Sequence, residues 1–487
     1  MKKLGLLSAV LAVSFFCTYT YAEVDFKTWV SQQKKEYKKF REERDKEFYS
    51  FLKGEWKDFE IEEGKVEDKA PKPETPPVAE PDAEKVSKPV EPEVVVEKEP
   101  EPVPEPEKPV EEPKEKPVDE KIQIPEAEKK LNVEFYGENL EFPEISEFYN
   151  LNLKKTDKES IAEFFADFAS YDSSPFIEQL KYYKARKRLN DWGYFMLVRA
   201  LSDKILSDEN ASTLFSWGVL LKSGYDARIG FYNNEIKLLF ASEDDLFSIP
   251  FFTLDSKRYY LYGGNLKSLR SYDAEYKGAD KKIRAFLQQR PILIAERVGF
   301  RNLEFEYKGK AYSFEAYFNP NLIEYMRSAP QLSMENYFTG TPDPLISKYL
   351  ADSIKDKIQN FSDYDKVNFI LRFVQKSFPY KTDDEQFGYE KYFYPEEMIY
   401  YQYSDCEDRS AFFAALVKKI TGFEVLILDY PGHVSTAVNI PGNVKGEYLS
   451  LKDKNYYIAD PTYINADVGM IMPGYENKKP KVTALNQ

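Results

Sequence analysis

YSDCEDRSAFFAALVKKITGFEVLILDYPGHVSTAV, residues 403–438, is the stretch whose reading decides the fold. Phe412, Phe413, Leu416, Val417 and Ile420 recur at helical spacing, and Gly422 is a helix stop, so a buried helix opens at Cys406. FEVLILDY (423–430) and HVSTAVNI (433–440) then read as two strands joined by the turn Pro431-Gly432. His433 begins the second strand. Downstream, KNYYIADPTY (454–463) reads as a further strand with Asp460 at its end. The chain has one histidine and two cysteines in 487 residues, and Cys17 falls in a segment expected to be removed. The spacing from Cys406 to His433 equals that from His433 to Asp460, 27 positions. A thiol in the first turn of a helix sits at the positive end of the helix dipole. With a base on one strand and an acid on the next, this is the arrangement of an activated nucleophile.

DCEDRS (405–410), the Gly-His step (432–433) and DPTY (460–463), in that order, resemble the three motifs of the transglutaminase-like, papain-fold superfamily. The resemblance covers roughly 346–470. It implies Cys406 as nucleophile, His433 as general base and acid, and Asp460 as the group that orients the imidazole. The DCED spelling is similar to that of bacterial periplasmic transglutaminase-like cysteine peptidases. No oxyanion donor matches clearly; Gln402, Tyr403 and the Cys406 amide are the candidates. The implied fold is α+β: a papain-like or transglutaminase-like core with a cysteine-bearing helix on an antiparallel sheet. The implied activity is acyl transfer on protein or peptide amides, with hydrolysis favoured over cross-linking. The rival is a catalytically silent relative that serves as a binding or scaffold protein of the cell envelope. Asp405, Glu407 and Asp408 oppose thiolate formation, with Arg409 as partial relief; Asp405 also suits a helix cap, and Asp408 with Arg409 suits polar contacts within the fold.

Residues 1–22 read as a secretory signal peptide, with Lys2 and Lys3, an apolar run and Thr20-Tyr21-Ala22 as cleavage site. The expected location is therefore periplasmic or extracellular, with no integral membrane segment. Residues 23–60 read as one amphipathic helix. Phe26, Tyr37, Phe48 and Phe59 recur every 11 residues, as do Trp29, Phe40 and Phe51, so the aromatics form one nearly straight stripe. It serves packing on the body, self-association as in a coiled coil, or an envelope partner. Residues 61–125 read as a disordered Pro/Glu linker able to reach on the order of 150 Å. Between 60 and 120 it holds 21 acidic residues against 9 lysines, so most of the chain's net charge of −15 belongs to it.

Residues 130–290 read as an α+β domain that is either a degenerate copy of the candidate catalytic unit or a chance similarity. Counted from Gly224 against Gly422, Asp208 falls opposite Cys406 and Glu235 opposite His433, and RYYLYG (258–263) set against NYYIAD (455–460) places Gly263 opposite Asp460 within a residue. Residues 291–345 read as strand PILIAERV (291–298), a β-hairpin turning at Lys308-Gly309, and a connector; 346–487 form the candidate catalytic domain. Aromatics of 378–397 and Gln375 read as groove lining or as packing. One histidine and one retained thiol do not make a usual zinc site. No phosphate-binding Gly-rich loop or dinucleotide fingerprint is present, and the acidic chain has no basic patch for nucleic acid. No cofactor is expected. Calcium stays open on the abundance of carboxylates, although no EF-hand loop occurs.

Overall fold

The computed structural model describes residues 28–29, 31–33, 35–36, 38–65, 72–80, 87–98, 129–338 and 342–485. The signal segment and residues 99–128 lie outside them. Helix α1 (38–52), strand β1 (Lys57–Glu60) and strand β2 (Val94–Lys98) come first. Then follow the hairpin β3 (Lys130–Phe135) and β4 (Glu138–Pro143) and helices α2 (Lys158–Ser170), α3 (Ser174–Arg186), α4 (Asp191–Ile205) and α5 (Glu209–Lys222). Strands β5 (Ala227–Tyr232), β6 (Glu235–Ala241), β7 (Phe251–Leu254), β8 (Lys257–Leu261) and β9 (Ser268–Ser271) complete a first unit.

A second unit opens with the hairpin β10 (Gly299–Tyr307) and β11 (Lys310–Phe318). Its helices are α6 (Pro320–Ser328), α7 (Ala351–Ile358), α8 (Asp363–Ser377), α9 (Asp383–Gln386), α10 (Pro395–Tyr400) and α11 (Cys406–Thr421). Strands β12 (Val425–Tyr430), β13 (His433–Val438), β14 (Tyr448–Leu451), β15 (Lys454–Ala459) and β16 (Lys481–Leu485) close it. The chain is thus mixed helix and sheet.

The two units share one plan. The first sheet has the order β1-β9-β5-β6-β8-β7, and the second, read from its other edge, β2-β16-β12-β13-β15-β14. In each, a buried helix feeds a hairpin whose second strand pairs antiparallel with the next-but-one strand. Gly224 and Gly422 both follow their helix with positive φ, 91° and 76°, the left-handed conformation that glycine adopts without penalty. The register fixes the correspondence. Glu235 pairs with Tyr232 across its turn as His433 pairs with Tyr430. Leu239 pairs with Leu261 as Ala437 pairs with Ile458, so Gly263 stands where Asp460 stands. At the helix start the N-caps are Asp208 and Asp405, so this alignment puts Glu209, one residue on from Asp208, opposite Cys406.

Three expectations need correction. The helix over 23–60 ends at 52: Gly54 turns back with its N–H 2.8 Å from Phe51 O, and Phe59 lies on β1, paired with Leu269 of β9. Phe48 and Leu52 are buried, Phe48 edge-on to Phe165, Tyr272 and Tyr276; Trp29, Phe40 and Phe51 remain exposed. Phe26 and Tyr37 lie outside the described residues. Second, the tract 61–125 is not wholly disordered. Its residues 72–80 and 87–98 lie along the second unit, with bridges from Val78 to Ile464 and Pro89 to Tyr448 and β2 parallel to β16. An extended chain with free backbone groups satisfies them on a sheet edge, which is covered in return. Third, PILIAERV forms no strand; its Ile292 and Ile294 amides bond to Lys187 O and to the Glu138 carboxylate.

Among the described residues no helix is long and apolar enough to cross a membrane. Since Phe48 is buried among four rings and Phe51 half-exposed, Phe48→Ala is expected to cost about 3–5 kcal/mol and Phe51→Ala about 0.5 kcal/mol or less, measured by chemical unfolding.

Candidate active site

Helix α11 is buried along its apolar face against α8 and the strands β12 and β13. That burial brings its first turn to the sheet. Ser410, one turn beyond Cys406 on the same face, donates its hydroxyl to Val434 O at 3.1 Å. Val434 directly follows His433, so the thiol's helix start is tied to the imidazole's strand start.

His433 and Asp460 meet. Nε2 and Asp460 Oδ2 are 2.8 Å apart, and both side chains are buried. Asp460 is itself held: Oδ1 accepts the N–H groups of Thr462 and Tyr463 at 2.9 and 3.1 Å. Buried Gln375 does not line a groove. Its amide donates to the carbonyls of Asp460, Tyr463 and Ala466 and shapes the loop that carries the acid. Arg409 extends from the helix to the carbonyls of Phe378 and Pro461, bracing the same loop rather than pairing with a carboxylate. Tyr475 packs 5.0 Å from the imidazole, ring centre to ring centre.

The thiol does not join this pair by a hydrogen bond. Cys406 Sγ is buried and donates to Glu407 Oε2 at 2.9 Å, while His433 Nδ1 has no partner among the described residues. Burial pushes the thiol well above its ordinary pKa, and the charges of Glu407 and Asp405 push it further. The helix dipole favours thiolate, but desolvation and adjacent carboxylates outweigh it here. Of the oxyanion candidates, Gln402 is exposed and Tyr403 half-buried under the Lys381 ammonium.

An acidic pocket adjoins the sulfur. Asp383, Glu390, Asp405, Glu407 and Asp408 converge on the first turn of α11, and the Lys72 ammonium stands among them. Lys72 Nζ lies 2.6 Å from Asp405 Oδ2, 2.8 Å from Glu390 Oε1 and 3.9 Å from Asp383 Oδ2, and it also bonds Glu407 Oε1. Burial opposes the charge on Lys72, but Glu407 and Asp405 raise its pKa overall. Oxygens of Asp383, Glu390 and Glu407, and of Asp383, Asp405 and Asp408, come within 4.8 Å of one another, a donor set of the kind that suits calcium or magnesium. Nothing in the composition of the 61–125 tract marks Lys72 among its lysines, and Asp383 and Glu390 lie in a segment rich in acids throughout.

Compared with known proteins, the chain matches no protein-family model and no curated sequence.

Burial, with the charge of Glu407 second, pushes the Asp383 carboxyl up to about 8 and that of Glu390 to about 7. In the unfolded chain both titrate near 4. Between those values these two groups bind more protons in the folded chain, so the stability they contribute is full below pH 4 and is lost as pH rises toward 8. The melting temperature is expected to be about 3 °C lower at pH 8.5 than at pH 5.5, with a smaller gap in Asp383→Asn, measured by scanning calorimetry.

Proposed function

We propose that the chain is an exported transglutaminase-like cysteine enzyme that transfers the acyl group of peptide or protein amides, with hydrolysis as the main outcome. The observation that carries this reading is the buried His433–Asp460 pair, its Nδ1 without a partner among the described residues, on a strand fastened to Ser410, one turn into the Cys406 helix. Asp460 fixes the ring and stabilises its charged form. In the reaction the thiol proton passes to Nδ1 as Sγ attacks the amide carbonyl. The tetrahedral oxyanion is received by first-turn amides, the Cys406 N–H foremost. The carbon–nitrogen bond breaks, the amine leaves with the proton from His433, and an acyl-thioester remains. Water then attacks, giving its proton to Nδ1; the acid departs and the thiol is restored. The first step requires the thiol's hydrogen bond to pass from Glu407 to the imidazole.

The bond from the thiol to Glu407, and the thiol's raised pKa, favour a second reading: a silent scaffold or binding protein of the envelope.

The two readings separate on reactivity. For an enzyme, iodoacetamide labels Cys406 at pH 7.5 at least tenfold faster with the imidazole intact than in His433→Ala, with Asp460→Asn between them, all three compared in a Lys72→Gln background that unties Glu407. Acid quenching after incubation with peptide substrates traps an acyl adduct on Cys406, seen by mass spectrometry and lost in Cys406→Ala. Equal, slow labelling in all three proteins and no adduct assign the silent reading.

A further inference from the structure

Residues 72–80, KPETPPVAE, cross the site from end to end. At one end Lys72, its side chain 10% exposed, is held by Glu390, Asp405 and Glu407. Glu407 binds the ammonium through Oε1 and the Cys406 thiol through Oε2, so one carboxylate links the cation to the sulfur. At the other end Ala79 N donates to Ile464 O at 2.7 Å and Ile464 N to Pro77 O at 2.9 Å. Ile464 ends the turn that begins at Asp460. The segment thus runs from the nucleophile's helix to the acid's loop, bonded to the protein as an added strand. Pro73, Pro76 and Pro77 keep it extended before it binds, which lowers the entropy lost on docking.

We infer that the Asp383, Glu390, Asp405 and Glu407 pocket is a subsite for the ammonium of a lysine on an extended, proline-containing peptide, and that residues 72–80 occupy it in cis. The inference deepens the acyl-transfer reading by naming the substrate class. The lysine so held is a recognition element: its ammonium is locked among carboxylates and has no free lone pair. The chain is therefore closed to substrate until 72–80 lifts, and substrates compete with it through the same chemistry. A fully buried sulfur whose carboxylate partner Glu407 is tied to Lys72 is the expected state of such a site.

The test compares the wild type with Lys72→Gln and, since the bare pocket leaves carboxylates unbalanced, with the double variant Lys72→Gln/Glu390→Gln, each confirmed folded by circular dichroism. Fluorescein-labelled KPETPPVAE is titrated in by anisotropy, with QPETPPVAE as control. The lysine peptide is expected to bind at least one variant saturably and at least tenfold more tightly than the control, and the wild type more weakly. Amide exchange at Ala79 and Ile464 is expected to be faster in the variants. Equal affinity for both peptides, absence of binding to either folded variant, or unchanged exchange overturns the inference. Calcium chloride that stabilises the variants while the lysine peptide does not bind also overturns it, making the pocket a metal site. Binding is read without turnover, so peptide capture with an unreactive Cys406 retires only the enzyme reading. A His433-dependent thiol without peptide capture retires only the subsite.

Discussion

Carboxylates packed into the first turn of a buried helix persist only if cations or protons accompany them. At the start of α11 both do. Lys72 supplies the cation, and burial raises the pKa of Asp383, Glu390, Asp405 and Asp408, which favours their protonated forms. Removing one partner of a buried ion pair costs about 3–5 kcal/mol, so the position of Lys72 is strongly specified. Its placement sets the path of 72–80 along Ile464, and the same tract continues past Tyr448 into β2 on the sheet edge. The cation beside the candidate nucleophile and the edge strand that completes the second sheet both come from the tract 61–125.

The shared plan of the two units separates scaffold from chemistry. The buried positions of α5 are aromatic, aliphatic or small, with only hydroxyls for polarity. Those of α11 begin with Cys406, Glu407, Asp408, Arg409 and Ser410. Glu235, in the register of His433, is exposed, and Gly263 offers no side chain where Asp460 stands. The first unit has the same strand order with no buried charge on α5, and its buried ions, Asp191, Asp226 and Arg228 among them, lie elsewhere. It supports α1 through Phe48 and lends its edge to β1.

Much of the second unit was legible because it is locally encoded. The apolar period of 412–420, the stop at Gly422 and the Pro431-Gly432 turn each depend on neighbours a few residues away, and together they put His433 beside Asp460. For the same reason the correspondence of Glu235 with His433 could be counted from one glycine, and that of Gly263 with Asp460 from two matching strands. Partners set by distant chain segments were not legible. Lys72 resembles every other lysine in its acidic tract, and its burial depends on carboxylates more than 300 positions away. The sequence around Gln375 allows groove lining or packing and does not choose, because the three carbonyls its amide bonds come from a loop about 90 positions on. The aromatic stripe was periodic enough to suggest a helix as far as 60, but Gly54 ended it.

The parallel pairing of β2 with β16 constrains how the molecule is made. Lys479 and Glu91, beside that pairing, are 388 positions apart, so β2 stays unpaired until β16 is made and brought to it. Closing so large a loop is entropically slow. Until then the second sheet has an open edge along β16, its backbone groups available to a strand of another chain.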